Sequence, residues 1–473
     1  MNASATRGRW ATLLLAALWL PAWSQTQWAS DPLRTLPAAA IARGPLPGDG
    51  DMVACPTSRD AAQPLSLALA IDLALCRNPQ IRGAWVGIKL QAGALGEARA
   101  AFLPKLNGNL SRVNDQTSSA DGRLRSNVRS NTLHAGVDWR IADFGGRSAN
   151  QAAAEDMLAA AIASQQAAVQ GVMSSVVQTY YDAQSAYATW DARVQSEAMA
   201  TDTVTAATRR EAQGVTGHTD TLQAITALAK ATIEKNRAYG QWLRSAALLN
   251  FALGDPDAGV PLLPSALDEQ AQASVPDLRQ WLDQVRQTHP AIVAARAQLS
   301  AARGRITAVR SEGRPTLDVS LNYYRNGRPD QSLQAAASSE RTLGLMLTVP
   351  IFDGFASRYR VAGAEAQAEQ KEVELDQTVQ QVLTDVIKAH ADAAASLDNL
   401  DASSQLRTAA QDALDSSRRR YAHGAADILE ILNAQSALAD ARQERVRCLA
   451  DWRSARLRLL ASVAQMGRVS AAP

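Results

Sequence analysis

One strand-to-helix junction is written twice in this chain, and the repetition limits its architecture more than any other feature. "WRIADFGGRSAN" occupies 139–150 and "VPIFDGFASRYR" occupies 349–360, so that Ile141 and Asp143 fall on Ile351 and Asp353. An offset of 210 or 211 residues also aligns "RNPQIRGAWVGIKLQAGALGEARAAFLPKL" (77–106) with "THPAIVAARAQLSAARGRITAVRSEGRPTL" (288–317), placing Pro79 on Pro290 and Pro104 on Pro315. It further aligns "REAQGVTGHTDTLQAITALAKA" (210–231) with "RYAHGAADILEILNAQSALADA" (420–441), and Trp242 with Trp452. Two halves of about 190 residues each are structural copies.

Each half reads in the same order. A helical segment (65–102; 277–312) ends at a proline, and a strand follows (104–113; 315–324). After a polar loop comes a second strand (131–142; 341–352). Leu133, Ala135, Val137, Trp139 and Ile141 share one face of that strand, as do Leu343, Leu345, Leu347, Val349 and Ile351 in the second copy. Strict alternation over about ten residues, with Trp139, Tyr323, Tyr324 and Phe352 near the ends, fits a membrane β-strand. A half-buried strand of a soluble sheet has the same period, so the strands alone do not decide.

The helices do. No proline interrupts 147–213 or 356–421, and each run of about 67 residues makes a rod about 100 Å long. Rods of that length belong to coiled-coil packing. The composition agrees, with 47% hydrophobic residues, much of it alanine, but only 5% aromatics. Each rod turns at a Gly-containing loop, Gly214-Val215-Thr216-Gly217 or His423-Gly424-Ala425-Ala426, and a helix of half the length returns (218–253; 427–464). Two half-length helices end to end equal one rod, which pairs 218–253 with 277–312 and 65–102 with 427–464. The expected fold is an α+β membrane protein with helical rods capped at one end by four strands. Four strands cannot close a barrel, because single-chain barrels begin at eight, and open edges in lipid leave backbone groups unsatisfied. A trimer supplies twelve strands over twelve rods.

The N-terminus carries Arg7 and Arg9, an apolar run "WATLLLAALWL" (10–20), and Ala22-Trp23-Ser24 before Gln25, the pattern of a secretory signal peptide over 1–24; a transmembrane anchor is the weaker alternative, because the run is too short to span a bilayer. No cysteine follows that site, so lipid attachment there is unsupported. The expected organisation continues with an N-terminal extension (25–64), a first repeat (65–253), a linker (254–276), a second repeat (277–465) and a tail (466–473). In an oxidising compartment Cys55 and Cys76 are close enough in sequence to bridge, leaving Cys448 odd; the other reading is unpaired, buried thiols. The net charge of +2 gives no reason to expect nucleic acid as a partner.

The doubled helix–strand–strand–helix unit, junctions such as "PIFDGF" and the turn-and-return motif RYxxGxxxxxxILNAQ resemble the TolC-like outer-membrane channel family. The resemblance covers about residues 65 to 465. It implies a homotrimeric channel-tunnel in the outer membrane, with four strands per chain in a shared twelve-stranded barrel and a long periplasmic coiled-coil barrel below. It also implies a periplasmic adaptor and an inner-membrane ABC transporter as partners. "LSLALAIDLALCRNPQIR" (65–82), following Cys55, is most similar to the branch serving type I secretion of large toxins. That branch acts as a passive conduit for an unfolded protein substrate of the adenylate cyclase-haemolysin kind, and drug efflux is the competing role. The sequence departs from the pattern twice. Arg140 stands where the second junction has Pro350, and Ala426 stands where a basic latch residue is found, which puts a charge-latched closure in doubt. Arg418, Arg419 and Arg420 nearby read as a solvated helix face.

Two rival classes remain. For an enzyme, the histidines (134, 218, 289, 390, 423) are scattered, none makes a metal-spaced pair, and no GxSxG, HExxH or phosphate-cradling loop occurs. No cofactor or metal is expected. A soluble periplasmic coiled-coil scaffold would explain the rods but leaves the alternating strands unused.

The candidate site is the tunnel mouth at the turns, where Gly214, Val215, Asp220, Gly424, Ala425 and Asp427 are expected to meet the adaptor. The resemblance assigns pore-facing acids to the second returning helix, which selects Glu430, with Asn433 one turn further. Three copies of Glu430 would form a cation-attracting ring; the alternative is a solvated residue favoured by the helix dipole. Asp427 is the expected helix cap.

Overall fold

The computed structural model describes residues 31–35, 63–118, 125–264, 277–325, 339–423 and 425–466. The signal-peptide segment, Cys55 and Gly424 lie outside the described residues.

Both rods form without interruption: α3 spans Gly146–Ala212 and α7 spans Ala356–Ala422, each of 67 residues. The returning helices α4 (His218–Ala252) and α8 (Ile428–Ser462) have 35 residues each. The expected single helices before the strands are each broken in two. In the first half these are α1 (Leu67–Arg77) and α2 (Pro79–Ala100); in the second, α5 (Leu278–Thr288) and α6 (Pro290–Ser311). Proline forces the residue before it out of the helical region, and Asn78 and His289 accordingly sit at ψ 125° and ψ 127°. Both then cap the new helix. Asn78 Oδ1 accepts from the Gln80 N–H at 2.9 Å, and His289 Nδ1 accepts from the Ala291 N–H at 3.3 Å.

These kinks correct the expected end-to-end pairing, which joined helices from different repeats. The C-terminus of α4 abuts α2: Asn78 Nδ2 donates to the Ala252 carbonyl at 3.0 Å, and Arg77 pairs with Asp255 at 2.7 Å. Gly254 has φ 77°, and a Cβ there would stand 2.8 Å from the Arg77 carbonyl carbon, so the chain turns here only with glycine. In the second half Val463, just past α8, packs with Val285 and Ile292 around the α5–α6 kink. Each half-length pair is therefore assembled within one repeat. In the first half the Asn78 side-chain amide satisfies a carbonyl that the end of the neighbouring helix leaves open. Near the strands the helices lie side by side in the order α2, α3, α6, α7; towards the turns the order is α4, α3, α8, α7. The largest core cluster sits midway, where Leu65, Ile71, Leu75, Val176, Tyr180 and Leu249 are buried.

The four strands are β1 (Lys105–Ser118), β2 (Arg125–Ala142), β3 (Thr316–Arg325) and β4 (Ser339–Thr348), antiparallel in the order β1-β2-β3-β4. β4 ends at Thr348 rather than continuing to 352. Pro350 lacks the N–H the ladder needs, whereas Arg140 at the matching place lets β2 run on through a register shift between Arg140 and Ala142. The register places Leu106, Val137, Leu321 and Leu343 in one row across the sheet. Leu106, Leu343 and Leu345 on that face are 80%, 77% and 71% exposed. The opposite face carries Asn107, Gly136, Asn322 and Thr342 in the next row. It is cross-linked by Asn107 to Asp138 at 2.9 Å, His134 to Asn322 at 2.9 Å and Arg140 to Asp318 at 2.9 Å. One face is apolar and bare, the other polar and hydrogen-bonded, and β1 and β4 leave both sheet edges open. Among the described residues no helix is long and apolar enough to cross a membrane.

Candidate functional site

Two features recur in both copies: the junction where a strand enters a rod, and the turn at the far end of that rod. At the first junction Asp143 Oδ2 accepts the Arg147 backbone N–H at 2.7 Å and the Arg147 Nε at 3.2 Å. The Arg147 guanidinium also donates to the Arg140 and Ile141 carbonyls at 2.7 and 3.1 Å and stacks 4.8 Å from the Phe102 ring. At the second, Asp353 accepts the Ser357 N–H at 2.8 Å and meets Arg360 at 3.4 Å. The Ser357 backbone N–H holds the Asp353 carboxyl below its ordinary range. Between aspartate and rod lie two left-handed residues, Phe144 (φ 53°) and Gly145 (φ 98°) in one copy, Gly354 (φ 67°) and Phe355 (φ 67°) in the other. The backbone path is retained while the glycine changes place, and either order leaves a phenylalanine in a conformation costing about 1–2 kcal/mol.

The distal turns share a backbone but not their side-chain contacts. Gly214 (φ 71°) ends the first rod; the Val215 N–H bonds to the Arg210 carbonyl at 2.9 Å, and in the second turn the Ala425 N–H bonds to the Arg420 carbonyl at 2.8 Å. Asp427 caps α8, its Oδ1 accepting the Glu430 N–H at 2.8 Å. Glu430 does not stand free. Arg420 Nη1 reaches its Oε1 at 2.8 Å, and the buried Ser417 hydroxyl donates to the same oxygen at 3.1 Å. Arg420 Nη2 also donates to the Ala425 carbonyl at 3.2 Å, closing the hairpin on itself. Arg418, Arg419 and Arg420 are all exposed, as expected of a solvated face, and Arg420 pairs as well: ten residues separate it from Glu430, and the turn folds them together.

In the first turn the equivalent arginine, Arg210, makes a different choice. Its Nη1 donates to the Tyr421 carbonyl at 3.2 Å and its guanidinium lies 4.3 Å from the Tyr421 ring, joining the end of one rod to the other. His218 Nδ1 meets Glu211 at 2.8 Å across that turn. Asp220, at the position matching Glu430, has no ion-pair partner among the described residues. Val215 is 59% exposed at the tip. Asn433, one turn past Glu430 on α8, lines a cavity of about 230 Å³ between α3, α4 and α8, with Arg193, Ser196, Lys230 and Glu234. Further up, Arg193 to Asp440 (3.2 Å) and Gln435 to Thr203 (2.9 Å) tie α8 to α3. Burial raises the carboxyls of Asp182 and Asp451 in a second cavity on the same three helices.

The sequence did not single out Arg420, Ser417, Arg210 or Tyr421 as contact residues. The available signal was the equivalence of Arg210 and Arg420 under the repeat; which carboxylate or ring each would meet depends on helix rotation. Cys76 is disulfide-bonded and Cys448 is free and buried. Among the described residues no group of three or more His, Cys, Asp and Glu is placed to hold a metal ion.

Known proteins match this architecture. Residues 70–255 and 281–465, the two repeats, match the family described as Outer membrane efflux protein. Protein CyaE of Bordetella pertussis is 35% identical over 415 residues, covering 88% of this chain and 87% of its own. Cation efflux system protein CusC of Escherichia coli K12 is 26% identical over 386 residues, covering 79% and 80%. The solved outer-membrane channel OprN superposes with a TM-score of 0.73 at 19% identity, over 88% of this chain and 96% of its own. With the doubled repeat, the bare apolar sheet face and these matches together, the chain belongs to the outer membrane efflux protein family and has the channel-tunnel fold of an outer-membrane protein with a large periplasmic portion.

Proposed function

We propose that this chain is the outer-membrane conduit of a type I secretion system, passing an unfolded protein outward as a homotrimer coupled to a periplasmic adaptor and an inner-membrane ABC transporter. The likeness to Protein CyaE carries the reading, because it is both longer and higher in identity than the likeness to CusC. Trimerisation is supported by the two open sheet edges: β4 of one chain pairs with β1 of the next, and three copies of four strands close a barrel in which every backbone group is satisfied. The polar sheet face then lines the passage and the leucine rows meet lipid.

The distal turns are the docking surface for the adaptor, with Gly214, Val215 and Asp220 from one turn and Gly424, Ala425 and Asp427 from the other. Exposed Leu222 and Leu429 beside them add apolar area. Cys55 is the proposed partner of Cys76, pinning the N-terminal extension to α1.

A second reading, an efflux pump component, is favoured by the matches to CusC and to outer membrane protein OprJ. Deleting the gene separates the two. Loss of a secreted large protein with unchanged metal and drug tolerance supports secretion; increased sensitivity with intact secretion supports efflux.

A further inference from the structure

Resting on the channel reading, we propose that Arg420 neutralises Glu430 in every chain, so that the distal mouth is a ring of ion pairs and not a cation-selective ring of free carboxylates. The Glu430 carboxylate is held from two sides, by the Arg420 guanidinium at 2.8 Å and the Ser417 hydroxyl at 3.1 Å. Arg420 is itself fixed by its bond to the Ala425 carbonyl, so the pair is part of the folded hairpin and not a chance surface contact. An opposite charge at hydrogen-bonding distance cancels most of the field that a carboxylate projects into water.

The surroundings add no acidic excess. Arg209 and Arg210 end the first rod and Arg418, Arg419 and Arg420 end the second, against Glu211, Asp220, Asp415, Asp427 and Glu430. Histidines aside, the positive and negative charges that each chain brings to this end balance. Charges within a turn or two of one another act together, since screening at physiological salt takes about 8 Å. Asn433, one turn beyond Glu430, adds no second carboxylate. A mouth of this composition admits anionic segments of a polypeptide as readily as cationic ones, and the arginine that sets this behaviour is Arg420.

The test is the reversal potential of the full-length mature protein in a planar bilayer under a KCl gradient, with cobalt hexammine as the blocking probe. The wild type is expected to reverse near zero, with weak block. Arg420→Gln exposes the carboxylate, and should shift reversal towards the potassium potential and strengthen block several-fold. Glu430→Gln should shift it towards the chloride potential. The double variant Arg420→Gln/Glu430→Gln, and the exchange Arg420→Glu/Glu430→Arg, should both return to wild-type behaviour, and the exchange keeps the hairpin clamp if the single variants fold poorly. A strongly cation-selective wild type whose selectivity vanishes in Glu430→Gln overturns the proposal, as does an unchanged reversal potential in Arg420→Gln. The absence of any conductance in the wild type overturns the channel reading, and the proposal with it.

Discussion

The two distal turns show what a duplicated chain keeps and what it reassigns. Both rods are 67 residues long, both end in paired arginines, and both turns bond the residue-215 or residue-425 amide back to the arginine carbonyl. Arg420 then clamps its own hairpin through Glu430, whereas Arg210 crosses to Tyr421 of the other hairpin. One methylene helps explain the difference: the position opposite Arg420 is a glutamate, and the position opposite Arg210 is the shorter Asp220. The same contrast appears at the junctions. Asp143 and Arg147 are nearly enclosed at 15% and 13% exposure, while Asp353 is 35% exposed with Arg360 at 52%. Duplication fixed the backbone, and the side chains then divided the work between one self-contained hairpin and one that ties the two together.

The largest effect is expected where the copies differ in burial. Asp143→Ala strips a rod cap and leaves the enclosed Arg147 without its carboxylate, a loss of about 3 kcal/mol. Asp353→Ala removes an open cap and should cost clearly less. Denaturant melts of the two purified variants measure the gap, and equal losses would erase the distinction drawn between the junctions.

The kinks give the next test. His289 caps α6 through Nδ1 as acceptor, so only the neutral ring serves, and burial lowers its pKa from the ordinary 6.5, with Asp385 opposing. A depressed folded pKa means that the unfolded chain takes up the proton first as the pH falls. The stabilisation is therefore complete above the ordinary value and is lost as pH drops through 6.5 towards the folded pKa. Asn78 does the same work with an amide that does not titrate. His289→Asn should flatten that acid limb of the melting temperature while keeping the cap. An acid limb identical to wild type would remove His289 from the account.

The smallest expected effect lies at the tip. Arg210→Ala gives up one cation–π contact and one hydrogen bond at a partly exposed site, about 0.5–1 kcal/mol. Its signature should be selective: hydrogen exchange speeds up in both turns, because the tie spans both. Arg420→Ala should loosen the second turn alone. Exchange confined to the first turn in Arg210→Ala would show that the cross-hairpin contact carries no coupling.

Much of this was legible in the sequence. Rod length followed from the absence of proline between 147 and 213 and between 356 and 421, and the sheet from alternation at 133–141 and 343–351, the last positions of which fall past the end of β4. Pro79 and Pro290 do not announce the kinks by themselves, since a proline within a helical pattern reads equally as its first turn. The pairing of half-helices was not legible: lengths match for either choice, and the decision rests on the Asn78 amide meeting the Ala252 carbonyl. Glu430 was visible as an acid past the turn, but its partner was not, because helical rotation over the ten intervening residues sets which side chains converge. Pro350 carried its own answer, and the end of β4 at Thr348 follows directly from its missing N–H.

The central claim is that four strands with two open edges must be completed by two further copies of the chain. Native mass measurement of the mature protein, extracted from outer membranes in mild detergent and transferred to nanodiscs, tests it most directly. The account predicts three chains per particle, with no smaller lipid-inserted species. A stable, lipid-inserted monomer would contradict it.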